Sequence, residues 1–235
     1  MLQMPRSALH RRQTAPSSSS KLVAALVQHR QTLVQQYPTY GYLKLTVLFK
    51  REGWPGVRLY REEGLTLQPR SLRRRKAVVT RREVIHARRP NDVWSLDFVT
   101  DQLVDGRRFR DLTVLDMFTR ECLAIDAGAH LRGEHVVAVL NQIRQSRSAS
   151  KRLCCDQGSE FTSRNRDLWA FQHQVKLLFS PPGKPTDNAV IESFNGRFRD
   201  ECLNSHVLVS IHDARRKIER WRIDYNEQRP HGSLG

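Results

Sequence analysis

Three carboxylates stand out by their settings. Asp156 ends the apolar run Leu153-Cys154-Cys155, and 35 residues separate it from Glu192. Asp97 lies upstream in Trp94-Ser95-Leu96-Asp97-Phe98-Val99. Two divalent cations held by a few such carboxylates can run phosphoryl transfer on nucleic acid. In that arrangement Asp97 bridges two Mg2+ ions, with Mn2+ as a substitute, and Asp156 and Glu192 each hold one. One ion activates a water or a 3′-hydroxyl and the other neutralises the leaving 3′-oxygen, so no nucleophilic Ser or Tyr is required. Arg199, two turns after Glu192, is the candidate partner for a phosphate near the scissile bond. The spacing alone is weak evidence in a chain with 24 Asp and Glu. Asp101, Asp105, Asp116 and Asp187 compete for the roles, although Asp105 sits in a turn signal and Asp187 suits a helix cap.

The elements around the trio must place it. Trp94 to Val99 alternates, with Trp94, Leu96 and Phe98 on one face of a strand and Ser95, Asp97 and Val99 on the other. Asp105-Gly106 predicts a hairpin turn into a strand over Arg110 to Phe118, followed by a third over Glu121 to Ala127. Glu134 to Gln145 has helical spacing. Lys151 to Cys155 reads as a fourth strand, Arg166 to His173 as a helix and Val175 to Phe179 as a fifth strand. A Pro/Gly loop over 180–185 leads to a helix on which Val190, Ile191, Phe194 and Phe198 form the buried stripe. Glu192, Asn195 and Arg199 share another face of it. A last helix begins at Ser210, with Ile211, Ala214, Ile218, Trp221 and Tyr225 stepping by three and four. The order is α/β.

Charge divides the 235 residues. Residues 1–90 hold 19 Lys and Arg against 4 Asp and Glu, whereas residues 91–235 hold 21 against 20. The first part is a basic arm suited to a polyanion, and the second is a near-neutral body. Residues 1–20 read as a disordered leader ending in four serines. Residues 21–66 read as a small helical, helix-turn-helix-like unit with helices over Lys21 to Gln36, Tyr42 to Arg51 and Val57 to Glu63. Residues 67–90 form a basic linker whose Arg73, Arg74, Arg75, Lys76, Arg81 and Arg82 track phosphates. Residues 91–235 make the body. Cys122, Cys154, Cys155 and Cys202 lack zinc-ligand spacing, and the adjacent Cys154 and Cys155 read as small apolar strand residues in a reducing compartment. No apolar run reaches the ~20 residues of a membrane span, and no signal-peptide pattern opens the chain. A cytoplasmic, nucleoid-associated protein is expected.

At this point a resemblance enters. Val93-Trp94-Ser95-Leu96-Asp97-Phe98, Cys155-Asp156-Gln157-Gly158-Ser159-Glu160-Phe161 and the run from Gly183 to Asn204 resemble the integrase catalytic core of bacterial insertion-sequence transposases. The insertion-sequence-three family, in its second-reading-frame product, is the group indicated. Asp224-Tyr225-Asn226 and Arg229-Pro230-His231 resemble its C-terminal signature, and the likeness runs from about Tyr40 onward. The resemblance implies a ribonuclease-H-like fold, with a mixed five-stranded sheet flanked by helices. It implies a DDE triad at Asp97, Asp156 and Glu192, Mg2+-dependent cleavage of the element's ends, and strand transfer. Arg199 falls at the family's basic position, and Lys184, Asn188 and Asn195 join it as candidate DNA contacts. The implied partners are double-stranded DNA (terminal inverted repeats and target), further copies of the chain to pair two ends, and an upstream-frame helix-turn-helix protein. Gln157 departs from the family's Asn, Gly53 to Arg58 is several residues short, and Met1 to Ser20 does not resemble the family. Two alternatives stay open: a catalytically inert DNA-binding remnant, and a metal-dependent nuclease outside transposition.

Overall fold

The computed structural model describes residues 18–54, 85–156, 164–180 and 189–230. The chain divides into two compact units, Met1–Ser71 and Leu72–Gly235. In the first unit, helix α1 spans Ser18–Gln36 and α2 spans Tyr42–Arg51. Residues 18–20 are therefore helical rather than part of a disordered leader, in keeping with the preference of serine for helix starts. Leu26, Leu33, Tyr40, Leu45, Leu48 and Phe49 make a small core. Helix α2 ends where Gly53, at φ +82°, turns the chain. Its N–H donates to the Lys50 carbonyl and that of Trp54 to the Phe49 carbonyl. This is a Schellman stop, with Trp54 stacked on His29 at 5.5 Å as the apolar closure. The expected helix over Val57 to Glu63 and all six named basic linker residues lie outside the described residues.

The second unit is built on one sheet of order β3-β2-β1-β4-β5. Strands β1 (Val93–Gln102), β2 (Arg108–Asp116) and β3 (Cys122–Gly128) form an antiparallel meander. The β1–β2 turn holds Gly106 at φ +82°, a conformation cheap only for glycine. Asp105 accepts from the Arg107 N–H at 3.0 Å in the same turn. Strands β4 (Arg152–Asp156) and β5 (Lys176–Ser180) run parallel to β1. Parallel pairing needs crossovers, and α3 (Gly133–Ser146) and α4 (Arg164–Gln172) supply them.

Both faces of the sheet are covered. Trp94, Leu96, Leu112, Val114, Leu153 and Cys155 pack under α3 and α4 with Val136, Leu140 and Trp169. The other face carries α5 (Ala189–Phe198), a π-helical turn over Arg199–Leu203, and α6 (Ile211–Glu227). Phe194, Phe198, Trp221 and Tyr225 interlock α5 with α6, three ring pairs between the two helices lying 5.1–5.8 Å apart. Each buried aromatic contributes about 1.5–3 kcal/mol by burial alone. Ser210 caps α6 by accepting from the Asp213 N–H at 3.1 Å.

The C-terminal signature residues fasten this layer to the sheet. Asn226 reads both backbone groups of Cys122, accepting from its N–H and donating to its carbonyl, each at 2.9 Å. Arg222 also donates to the Cys122 carbonyl, and Arg215 to that of Ala127 at 2.7 Å. Helix α6 thus satisfies edge groups of β3 that would otherwise offer a template for another strand. Arg229 forms a two-pronged pair with Glu201 of the π turn at 2.8 and 2.7 Å.

Candidate active site

Alternation along β1 turns Asp97 to the side covered by α5, with its side chain half-buried. Two donors fix that side chain. Asn195 Nδ2 of α5 donates to Asp97 Oδ2 at 2.7 Å, and the Phe98 N–H donates to Oδ1 at 2.8 Å. Asn195 is itself held, because its Oδ1 lies 3.1 Å from the Thr113 hydroxyl of β2, which is also 3.1 Å from the Asp97 carbonyl. This closed set determines which way the Asn195 amide points. Its nitrogen must face the carboxylate and its oxygen the hydroxyl. A carboxylate offers roughly four lone-pair directions, and each of these two donors takes one on a different oxygen.

Asn195 was expected at the DNA with Glu192 and Arg199, on one helix face. The structure corrects this: Asn195 is buried while Glu192 and Arg199 are exposed. The reason lies in the stripe Ile191, Phe194, Asn195, Phe198, where Asn195 occupies a position that packing otherwise gives to an apolar residue. A polar residue inside an apolar stripe was the available signal. Asn195→Leu should keep the fold and lower metal-dependent activity about 10–100-fold, as loss of a ligand-orienting partner does. Rescue in Asn195→Gln, scored by metal affinity as well as turnover, checks the assignment.

Glu192 occupies the first turn of α5. Val190, two residues before it, packs against the cluster of Val93, Met117 and Cys154, which Leu178 of β5 also borders, so the start of α5 lies near the β1–β4–β5 junction. Asp156 is the last residue of β4, paired with Ser180 of β5. Among the described residues no group of three or more His, Cys, Asp or Glu could hold a metal ion. The Asp156 side chain and the loops 157–163 and 181–188 lie outside those residues, and with them Lys184 and Asn188. Arg199 opens the π turn and donates from Nη1 to the Thr100 carbonyl of β1 at 3.2 Å. The π geometry is visible in the Asn204 N–H, which reaches back to the Arg199 carbonyl at 2.8 Å. No helix among the described residues is long and apolar enough to cross a membrane.

A β-meander joined to two parallel strands, helices on both faces, and an aspartate on the central strand together define a ribonuclease-H-like integrase core. The comparisons agree. Residues 87–185 and 173–235 both match the family described as integrase core domain. The magnesium-bound catalytic core of the HTLV-2 integrase superposes with a TM-score of 0.51 at 15% identity, covering 62% of this chain and 92% of that one. A 31.7 kDa protein of insertion element IS407 from Burkholderia multivorans is 43% identical over 237 residues, spanning 98% of this chain and 83% of that protein. A 39.2 kDa protein of IS476 from Xanthomonas euvesicatoria is 41% identical over 93% of this chain and 63% of its own length. The transposase of IS904 from Lactococcus lactis is 24% identical over 155 residues, spanning 65% of this chain and 61% of its own length. The chain belongs to the insertion-sequence family of integrase-core proteins. One expectation is overturned here: a match over 98% of the chain leaves no room for an unrelated segment covering Met1 to Ser20.

Proposed function

We propose that this chain is a transposase of the DDE type, cutting DNA at the ends of its insertion element and joining those ends to a target. The observation that carries the reading is the clamp of Asn195 on Asp97, made from the same helix that bears Glu192. Strand register supports it. Ser95 pairs with Cys154 in parallel, and two residues further along each strand stand Asp97 and Asp156. The proposed triad is therefore Asp97, Asp156 and Glu192, drawn from two neighbouring strands and the helix above them.

All three are hard oxygen donors, which suit Mg2+ or Mn2+. Such ions, when bound, supply charge neutralisation at the attacking and leaving oxygens of an in-line displacement. The chain's own residues do the rest. Asn195 and the Phe98 N–H orient Asp97, and the aromatic contacts with α6 hold α5 and Glu192 in place. Arg199 presents a cation at the surface for a DNA phosphate, and the basic arm supplies most of the affinity for duplex. Further copies of the chain are the expected partners in the working complex, because two ends must be paired. An upstream-frame helix-turn-helix protein is a further proposed partner.

Two measurements test this. Cleavage should require the element's inverted repeats; equal cutting of a duplex with scrambled ends would instead identify a general nuclease. Deleting residues 1–90 should flatten the fall of DNA affinity with salt, since counterion release scales with the phosphates neutralised. An unchanged slope would move the DNA contacts into the body.

A further inference from the structure

Asp111 is a buried carboxyl group for which the proposed reaction has no use. It lies in mid-β2, opposite Val99 of β1 and Ala127 of β3, and it is fully buried. Neither carboxyl oxygen has a hydrogen-bond partner. An ionised carboxylate left in that state is strongly disfavoured, so the group sheds its charge by keeping a proton. Its charged neighbours come from three elements: Asp101 of β1, Arg199 of the π turn and Asp126 of β3. The thiol of Cys202, also on the π turn, is pushed up to about 12 by burial and by Asp111. From α6, Arg215 directs its Nε to the Ala127 carbonyl. Burial first, and then Asp101, push the pKa of Asp111 up to about 8, while Arg199 opposes the rise.

We propose that Asp111 is a positioning residue for Arg199, holding or releasing its guanidinium according to whether the carboxyl carries a proton. The phosphate role of Arg199 within this inference rests on the function proposed above. With Asp111 neutral, Arg199 stays on the Thr100 carbonyl at the surface, free to meet phosphate. When Asp111 gives its proton to solvent, a buried anion without donors faces a cation rich in them, and the guanidinium is drawn inward. The fold binds a proton that the unfolded chain, with a carboxyl value of 3.8, has given up. The stability this proton contributes is full below about pH 4, declines as pH rises and is gone above about pH 8.

The test follows urea midpoints across about pH 5.5 to 9.5 for the full chain, Asp111→Asn, Asp111→Val and Arg199→Gln. The wild type should lose stability relative to both Asp111 variants as pH rises toward 8. In Arg199→Gln that loss should extend to higher pH, because the cation favouring the ionised form is gone. A wild-type curve parallel to those of both Asp111 variants overturns the buried proton, and an unmoved range in Arg199→Gln overturns the coupling. A second arm measures the salt dependence of binding to a short DNA duplex at about pH 6.5 and about pH 9. The slope should fall by about one at the higher pH in wild type and stay constant in Asp111→Asn. The same fall in Asp111→Asn also overturns the proposal. If the stability arm behaves as expected while no variant binds duplex, the phosphate role of Arg199 fails and the Asp111–Arg199 coupling stands.

Discussion

Glu201→Gln should cost about 3–5 kcal/mol of folding stability, the penalty of breaking a buried ion pair by removing one partner. The Arg229 and Glu201 side chains are only 3% and 8% exposed, and their two contacts are 2.7 and 2.8 Å long. Gln accepts at one oxygen instead of two and carries no charge, so the guanidinium stays buried and poorly matched. Arg cannot shed its proton to relieve this. For a unit of this size, the loss corresponds to a fall of about 10 °C in Tm. The double replacement Glu201→Leu with Arg229→Met should recover most of the loss, because the pair's worth lies in mutual compensation rather than net attraction. Thermal or urea unfolding of the three proteins checks both statements. A single replacement that leaves Tm within a degree or two would show that the pair is not desolvated.

Asp97→Asn should reduce metal-dependent strand cleavage by roughly 10³-fold while leaving the fold intact, since charge stabilisation worth several kcal/mol is withdrawn from the reaction. The substitution is nearly isosteric. With its oxygen toward Asn195 Nδ2 the new amide keeps the 2.7 Å contact, but its NH2 then faces the Phe98 N–H that the native carboxylate accepts. Unfolding should therefore shift by only about 1 kcal/mol, the worth of one hydrogen bond, and duplex binding should persist. Cleavage retained at a tenth of the native rate or better would remove Asp97 from the triad.

The strands were readable because each face of the sheet imposes a period of two. Trp94, Leu96 and Phe98 lie on the α3–α4 side, and Val99 lies on the α5–α6 side. Helix α2 has the bounds its spacing predicts, and most other elements differ from expectation by one to three residues. Long-range pairing was not readable. Nothing local in Arg229 announces Glu201, 28 residues earlier. The π turn depends on an Asn204–Arg199 bond and on buried Cys202 and Leu203, so tertiary packing rather than propensity creates it. Asn195 was seen but assigned outward, because a polar residue on a helix usually faces water. Nothing local in the sequence marks Asp111; its isolation is a property of the folded sheet. The proposed triad comes from motif and spacing, and the structure adds to it the Asn195 contact on Asp97.

The most direct test of the account is the release of 3′-hydroxyl ends from a duplex carrying the element's inverted repeats, in Mg2+ or Mn2+, with wild type and Asp156→Asn side by side. Metal-dependent ends are expected from the wild type and none from the variant, with both proteins folded and bound to the DNA. Cleavage by both proteins, or binding with no cleavage by the wild type under either metal, would contradict the account.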